Sequence, residues 1–142
     1  MVDKTLILRK FVSFDEYFKQ IEEYSNISIN DYANNWKTQR IIDRTLQMMI
    51  ETCLDVAGHI ISDERLRAPE SYVDMFNILV ENVILNQELL PSLEKMAKFR
   101  NIIVHQYEKI DQEIVIGILK MNLQDFKKYR DSIIKYLKKS QL

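Results

Sequence analysis

The fold of this chain is decided by its most regular stretch, IIDRTLQMMIETCLDVAGHII, which occupies residues 41–61. Its apolar residues recur every three or four positions, which is the spacing that places side chains on one face of an α-helix. The stripe consists of Ile42, Leu46, Met49, Cys53, Ala57 and Ile60. The stretch predicts a long helix with one buried face, which we expect to begin at the capping pair Ser28 and Asp31 and to end near Ile61.

The rest of the chain shows the same helical periodicity, and no alternating stretch is long enough for a convincing β-strand. The other predicted helices span about residues 4–24, 71–83, 86–105 and 111–138. Only two Gly and two Pro are present, which argues against an all-β or doubly wound fold, because those folds need many tight turns. The prediction is an all-α protein, an antiparallel bundle of four to five helices.

Length and composition indicate one globular domain, residues 1–142. The chain is 46% hydrophobic and 29% charged, as in ordinary globular proteins. Cys53 is the only cysteine, so no internal disulfide can form, which agrees with a reducing cytosol. No apolar run is long enough to span a bilayer, and the start MVDKTLILRK lacks a signal-peptide pattern. We therefore expect a cytoplasmic protein with no membrane partner.

The formal net charge is −1, but the charge is unevenly distributed. Residues 120–142 hold seven Lys or Arg against two Asp. A basic last helix could attract a polyanion such as RNA. It could equally be a solvated helix face whose cations lie near the negative end of the helix dipole.

The chemistry of the chain is concentrated in RNIIVHQY, residues 100–107, at the predicted end of the fourth helix. An arginine can bind a phosphate with two parallel hydrogen bonds. A histidine can exchange a proton near neutral pH, and a tyrosine offers a hydroxyl that can be modified. Arg100, His105 and Tyr107 are therefore candidates for phosphodiester chemistry.

A helical wheel separates the two ionisable groups of this motif. Arg100, Asn101 and His105 point away from the face that carries Met96 and Phe99. Arg100 and His105 are about 140° apart on an ideal wheel, so they do not converge easily within one chain. Two copies facing each other across a two-fold axis would bring them together. The simpler interpretation is a solvated helix face with a capped end.

The second histidine belongs to another regular pattern. Glu51, Asp55 and His59 recur every four residues, opposite the apolar stripe of the long helix. This trio could bind a metal through carboxylate and imidazole ligands. It could also form a solvent-exposed or dimer face with local ion pairs, which we favour because no further His or Cys is available to complete a metal shell. Cys53 lies in the apolar stripe, so we expect it to pack in the core.

Two segments together resemble a known family. FRNIIVHQYEKID, residues 99–111, and ETCLDVAGHIISDERLRAPESYVDMFNILVENVIL, residues 51–85, resemble the HEPN-domain toxins of HEPN–nucleotidyltransferase toxin–antitoxin pairs. The resemblance covers about residues 35–129. It implies a helical bundle that dimerises so that two motifs line one cleft. It also implies an endoribonuclease that needs no metal or other cofactor, and a minimal nucleotidyltransferase antitoxin that binds the toxin in a larger hetero-oligomer.

The resemblance implies a role for each motif residue. Arg100 and His105 would be catalytic toward cellular RNA (mRNA or tRNA), with Asn101 in support. Tyr107 would be the site to which the antitoxin transfers AMP. We expect its hydroxyl to be exposed and an added phosphate to lie near Arg100. The alternative interpretations are a non-catalytic HEPN module that binds a nucleotide or scaffolds a nucleotidyltransferase, and a plain helical dimerisation domain.

Overall fold

The computed structural model describes residues 1–139, so the last three residues of the predicted 1–142 domain lie outside the described part. The α-helices are α1 (Lys4–Glu22), α2 (Ile29–Ala33), α3 (Trp36–Asp63), α4 (Tyr72–Glu81), α5 (Leu90–His105), α6 (Gln112–Gly117) and α7 (Leu123–Lys139). Short 3-10 helices cover Gln87–Leu89 and Tyr107–Lys109, and a π-helical segment, Ile118–Asn122, joins α6 to α7. Residues 1–139 contain no β-strand, which confirms the all-α prediction. None of the helices in this range is long and apolar enough to cross a membrane.

Helix α3 forms the centre of the bundle. It contacts α1, α2, α4, α5 and α7. The predicted apolar stripe is confirmed, because each of its six residues is no more than 1% exposed. Burial of one such large side chain contributes about 1.5–3 kcal/mol, so this single helix supplies much of the hydrophobic core.

The predicted start of the long helix is wrong. The Asn35 side chain accepts hydrogen bonds from the backbone N–H groups of Lys37 and Thr38, both at 3.1 Å, and α3 therefore begins at Trp36. Ser28 instead caps the separate short helix α2 by accepting from the N–H of Asp31 at 3.0 Å. With α6, the π segment and α7 counted as one rod, residues 1–139 form six helices, one more than predicted.

The π-helical segment changes the face that the last rod presents to the core. A π turn holds more residues than an α turn, so it shifts the register of the residues that follow. The spacing of apolar residues over 111–138 predicts one buried stripe that includes Ile118, Met121, Leu123 and Phe126, but Met121 is 77% exposed. Ile118, Leu123 and Phe126, from the same predicted stripe, are buried. The register shift explains why one regular spacing fails to describe the whole rod.

Helices α3 and α4 end in the same backbone capping motif. Arg65 and Val83 adopt left-handed conformations, with φ of 55° and 59°. The N–H of Leu66 donates to the carbonyl of Ile61 at 2.9 Å, and Ile84 makes the same kind of bond at the end of α4. This pattern stops a helix and turns the chain sharply. It returns α4 to the surface of α3 and then α5 to the surface of α4.

Candidate active site

Arg100 is held between two helices and is not solvated as the helical wheel suggested. Its side chain is 17% exposed, and its Nε lies 3.4 Å from a carboxylate oxygen of Glu51 on α3. The guanidinium lies over the ring of Tyr72 on α4, 4.9 Å from the ring centroid. An Nη of Arg100 also donates to Asn101 at 3.3 Å. These contacts fix the direction of the guanidinium before any ligand binds.

The Arg100 guanidinium lines an open groove with a volume of about 600 Å³. The groove is also lined by Glu51, Asp55, His59, Tyr72 and Met75. Nε of Arg100 is buried and makes no hydrogen bond within the part of the chain that the structure describes. A guanidinium beside an open groove can bind an anion such as a phosphate through its Nη groups.

His105 lines a second groove next to that of Arg100. It is the last residue of α5 and is exposed. It lines a groove of about 520 Å³ together with Asn101, Tyr72 and Met75. Tyr72 and Met75 also line the groove of Arg100, so α4 forms a wall that the two grooves share. Within one chain, the structure places Arg100 and His105 on either side of this wall and does not bring them into one groove.

A glycine in α3 lies against the shared wall. A Cβ added at Gly58 would lie 3.2 Å from Cε of Met75, which is closer than ordinary van der Waals contact. The absence of a side chain at Gly58 thus lets Met75 approach the backbone of α3.

Tyr107 does not match the expectation of an exposed hydroxyl. Its ring is half-buried, and its hydroxyl donates to Oδ2 of Asp43 at 2.9 Å. The hydroxyl oxygen also accepts a hydrogen bond from Nη1 of Arg40 at 2.7 Å, and the Arg40 guanidinium lies 4.9 Å from the ring centroid. The arginine beside the Tyr107 hydroxyl is therefore Arg40, whereas Arg100 contacts Glu51.

Asp43 is the buried centre of this network. It is 3% exposed, and its second oxygen, Oδ1, accepts from the hydroxyl of Tyr32 at 2.6 Å. Burial raises the pKa of Asp43, and the hydrogen bonds from Tyr32 and Tyr107 act in the opposite direction. Burial, followed by the hydrogen bond to Asp43, raises the pKa of Tyr107. The raised pKa of Tyr107 favours the protonated phenol, which donates its hydrogen bond to Asp43.

Arg40 and Asp43 were not predicted from the sequence. They lie one turn apart on α3, and more than sixty residues separate them from Tyr107. The sequence held one signal for Asp43, namely a carboxylate directly beside Ile42 of the apolar stripe. A buried carboxylate requires hydrogen-bond partners, and here Tyr32 and Tyr107 supply them.

The trio of Glu51, Asp55 and His59 forms ion pairs. Asp55 pairs with Lys10 of α1 and lies 3.5 Å from Nε2 of His59, while Glu51 pairs with Arg100. Residues 1–139 contain no group of three or more His, Cys, Asp or Glu side chains arranged to hold a metal. Only the contact of Asp55 with His59 is local, whereas the other two join α3 to α1 and to α5.

The remaining predictions outside the grooves concern one cysteine and the basic last helix. Cys53 is buried in the core, as predicted. In the basic last helix, Arg130 makes two hydrogen bonds to Asp15 of α1, at 2.6 and 2.9 Å. At least this cation therefore helps to hold the bundle together.

Comparison with known proteins places this geometry in a family. The ribonuclease HepT-like family matches residues 14–133. The chain belongs to this family. Membership confirms the resemblance found in the sequence, and it confirms that the chain is an endoribonuclease by class.

Two curated relatives share most of their length with this chain. The mRNA nuclease HepT of Shewanella oneidensis is 31% identical over 129 residues, which cover 90% of this chain and 96% of the relative. The tRNA nuclease HepT of Aphanizomenon flos-aquae is 28% identical over 138 residues, which cover 96% of this chain and 92% of the relative.

A solved structure agrees with the fold of this chain. The tri-AMPylated HEPN toxin of Shewanella oneidensis, in complex with its MNT antitoxin, has a TM-score of 0.83 and 30% identity. The match covers 95% of this chain and 99% of that one. The similarity therefore extends over nearly the whole bundle and includes the α3, α4 and α5 segments that form the two grooves.

Proposed function

We propose that this chain is the ribonuclease toxin of a type VII toxin–antitoxin pair, and that it cleaves mRNA or tRNA without a metal ion. The observation that carries the proposal is the Arg100 guanidinium, which is held in place beside a groove by Glu51 and Tyr72. The relatives named mRNA nuclease and tRNA nuclease support RNA as the substrate.

The reaction follows from the chemistry of RNA and of the motif. The 2′-hydroxyl beside the scissile phosphate is the nucleophile, and the imidazole of His105 accepts its proton. Arg100 binds the phosphate and stabilises the charge that develops on its oxygens. Asn101 lines the groove of His105 and contacts Arg100, so it can orient either group. The products are a 2′,3′-cyclic phosphate and a 5′-hydroxyl, the leaving oxygen taking a proton from an acid.

A homodimer would complete this site. Arg100 and His105 line separate grooves of one chain, and Val104 beside His105 is an apolar side chain that is 41% exposed. A two-fold axis near this surface would place Arg100 of one copy opposite His105 of the other. Each shared site would then hold one Arg100 and one His105.

Subunit mixing tests the composite site. Arg100→Ala and His105→Ala homodimers should both be inactive, whereas co-refolded mixtures should recover about a quarter of wild-type activity. Half of the mixed dimers are heterodimers, and each of these holds one intact site if the sites are shared across the axis. An absence of recovery in a mixture shown to contain heterodimers would contradict the shared site.

The activity itself is tested with purified, unmodified protein in EDTA. We expect RNA cleavage that leaves 2′,3′-cyclic phosphate ends, and a rate lowered by roughly two to four orders of magnitude in His105→Ala. Gln106→Ala, an exposed neighbour, serves as the control. Equal cleavage by wild type and His105→Ala would show that His105 is not the catalytic group.

The proposed regulation is the transfer of AMP to Tyr107 by a minimal nucleotidyltransferase antitoxin, within a hetero-oligomer of the two proteins. The AMPylated HEPN toxin in complex with its MNT antitoxin supports this. An adenylate adds bulk and negative charge, which repels RNA phosphates. Incubation with the antitoxin, ATP and Mg²⁺ should add whole AMP units, measured by intact-mass spectrometry, and should suppress cleavage. Tyr107→Phe should gain no mass.

A further inference from the structure

We propose that Asp43 is the general base that removes the proton from the Tyr107 hydroxyl during AMP transfer, and that Arg40 binds the phosphate that arrives there. The inference rests on the proposed function, namely that a nucleotidyltransferase modifies Tyr107. It adds that the toxin carries part of the catalytic machinery for its own inactivation.

The geometry already aligns the acceptor oxygen for this reaction. The Tyr107 O–H donates to Oδ2 of Asp43 at 2.9 Å, a distance suited to proton transfer. Nη1 of Arg40 donates to the same hydroxyl oxygen at 2.7 Å. A base and a cation thus meet at one oxygen, as general-base and electrostatic catalysis require.

The exposure of the side chains around Asp43 distinguishes Tyr107 from a purely structural tyrosine. Asp43 accepts one tyrosine hydroxyl on each of its oxygens. Tyr32 is 2% exposed, whereas Tyr107 is half-buried and Arg40 is exposed. Of the two hydroxyls bonded to Asp43, only that of Tyr107 lies where a second protein could deliver a nucleotide. Asp43 therefore faces a reachable nucleophile on one side and a fixed hydrogen-bond donor on the other.

The charge balance of the step also fits this site. The Tyr107 oxygen forms a bond to the α-phosphorus of a nucleoside triphosphate, and the bond from that phosphorus to the pyrophosphate oxygen breaks. The proton moves to Oδ2 of Asp43, which becomes neutral. Burial disfavours the ionised carboxylate, so the protonated product is well accommodated. The new phosphodiester carries one negative charge, with which the Arg40 guanidinium can pair.

The groups that would influence this titration are few. Those that face Asp43 are Tyr32 from α2, Tyr107 from the 3-10 helix after α5, and Arg40 from α3. The hydrogen bond from Tyr32 holds the pKa of Asp43 lower than it would otherwise be. Removal of that hydroxyl should therefore move the pH dependence of AMP transfer upward if Asp43 is the base.

The first test measures the rate of the first AMP addition by quenched intact-mass spectrometry, at saturating antitoxin and ATP, across a pH range from mildly acidic to alkaline. Asp43→Asn should lower the rate by roughly two to four orders of magnitude. Its remaining rate should rise with pH as the phenol ionises, whereas the wild-type rate should level off. Asp43→Glu should partly restore the wild-type pH profile. A rate for Asp43→Asn close to that of wild type, with an unchanged profile, would overturn the assignment.

Two further variants keep the test decisive if Asp43→Asn does not fold. Tyr32→Phe should raise the pH midpoint of the AMP-transfer rate, and an unmoved midpoint would count against Asp43 as the base. Arg40→Gln should slow the transfer by at least about tenfold, while Arg44→Gln, one turn further along α3 in a different groove, should not. A wild-type protein that gains no AMP on Tyr107 would refute the proposed function itself. A wild-type protein that gains AMP, together with an Asp43→Asn variant that gains it at the same rate, would refute only the assignment of Asp43 as the base.

Discussion

Replacement of Arg100 by alanine tests whether the held guanidinium performs chemistry or only packing. The substitution removes a partly exposed ion pair with Glu51 and a stack on Tyr72, whose side chain is 41% exposed. An ion pair of this kind contributes about 0.2–1 kcal/mol and a cation over an exposed ring about 0.5–1 kcal/mol, so the stability loss is at most about 2 kcal/mol. A domain with even about 5 kcal/mol of stability would remain about 99% folded.

The expected loss of activity is far larger than this change in folding. Removal of one preorganised charge-stabilising donor lowers kcat by roughly 10²–10³, which unfolding of about one molecule in a hundred cannot produce. Arg100→Lys should retain part of the activity, because it keeps the charge but loses the planar fork.

The assay is single-turnover cleavage of a labelled RNA, with urea denaturation run on the same samples. Lys98→Ala is the matched control, since Lys98 is an exposed cation on the same helix. If Arg100→Ala is folded and cleaves at nearly the wild-type rate, the assignment of the anion-binding role to Arg100 is refuted.

Three further predictions concern stability and reactivity. The Arg67 guanidinium lowers the pKa of Asp74. The contribution of this pair to stability is therefore present above about pH 4, the ordinary range for an aspartate, and is lost on further acidification. The urea midpoints at neutral pH and at about pH 3 should differ less in Arg67→Gln than in wild type. Tyr129→Phe removes a buried hydroxyl that donates to the carbonyl of Cys53 at 2.7 Å; it should cost about 1 kcal/mol in urea unfolding, and no change would show that this bond contributes nothing. Burial raises the pKa of the Cys53 thiol, so an aromatic disulfide reagent should label it only after denaturation; rapid labelling of native protein would contradict its burial.

The sequence predicted those parts of the fold that depend on local periodicity. The α3 stripe and the end of α5 at His105 both follow from the spacing of apolar residues. The break before Trp36 was missed because Asn35 caps a helix inside a stretch that continues the same pattern. The π segment was missed because one extra residue in a turn leaves no mark on composition, and so Met121 was placed on the wrong face.

The candidate site could be predicted only in part from the sequence. Arg100, Asn101, His105 and Tyr107 form a local motif, and a resemblance could find them together. Their partners could not be found in this way, because pairing Tyr107 with Asp43 requires the tertiary packing of the segment after α5 against α3. The same packing makes the hydroxyl of Tyr107 less exposed than its position beyond a helix end suggested.

Helix α3 also sets a distance that matters for the proposed inhibitory group on Tyr107. Asp43 holds Tyr107 and Glu51 holds Arg100, and these two positions lie eight residues apart, or about 12 Å along a rigid rod. A bare phosphoryl group on Tyr107 would meet Arg40 and extend no further. A nucleotide, with its sugar and base, extends further from the Tyr107 oxygen. We therefore expect the reach of the transferred group, in addition to its charge, to determine whether the nuclease is silenced.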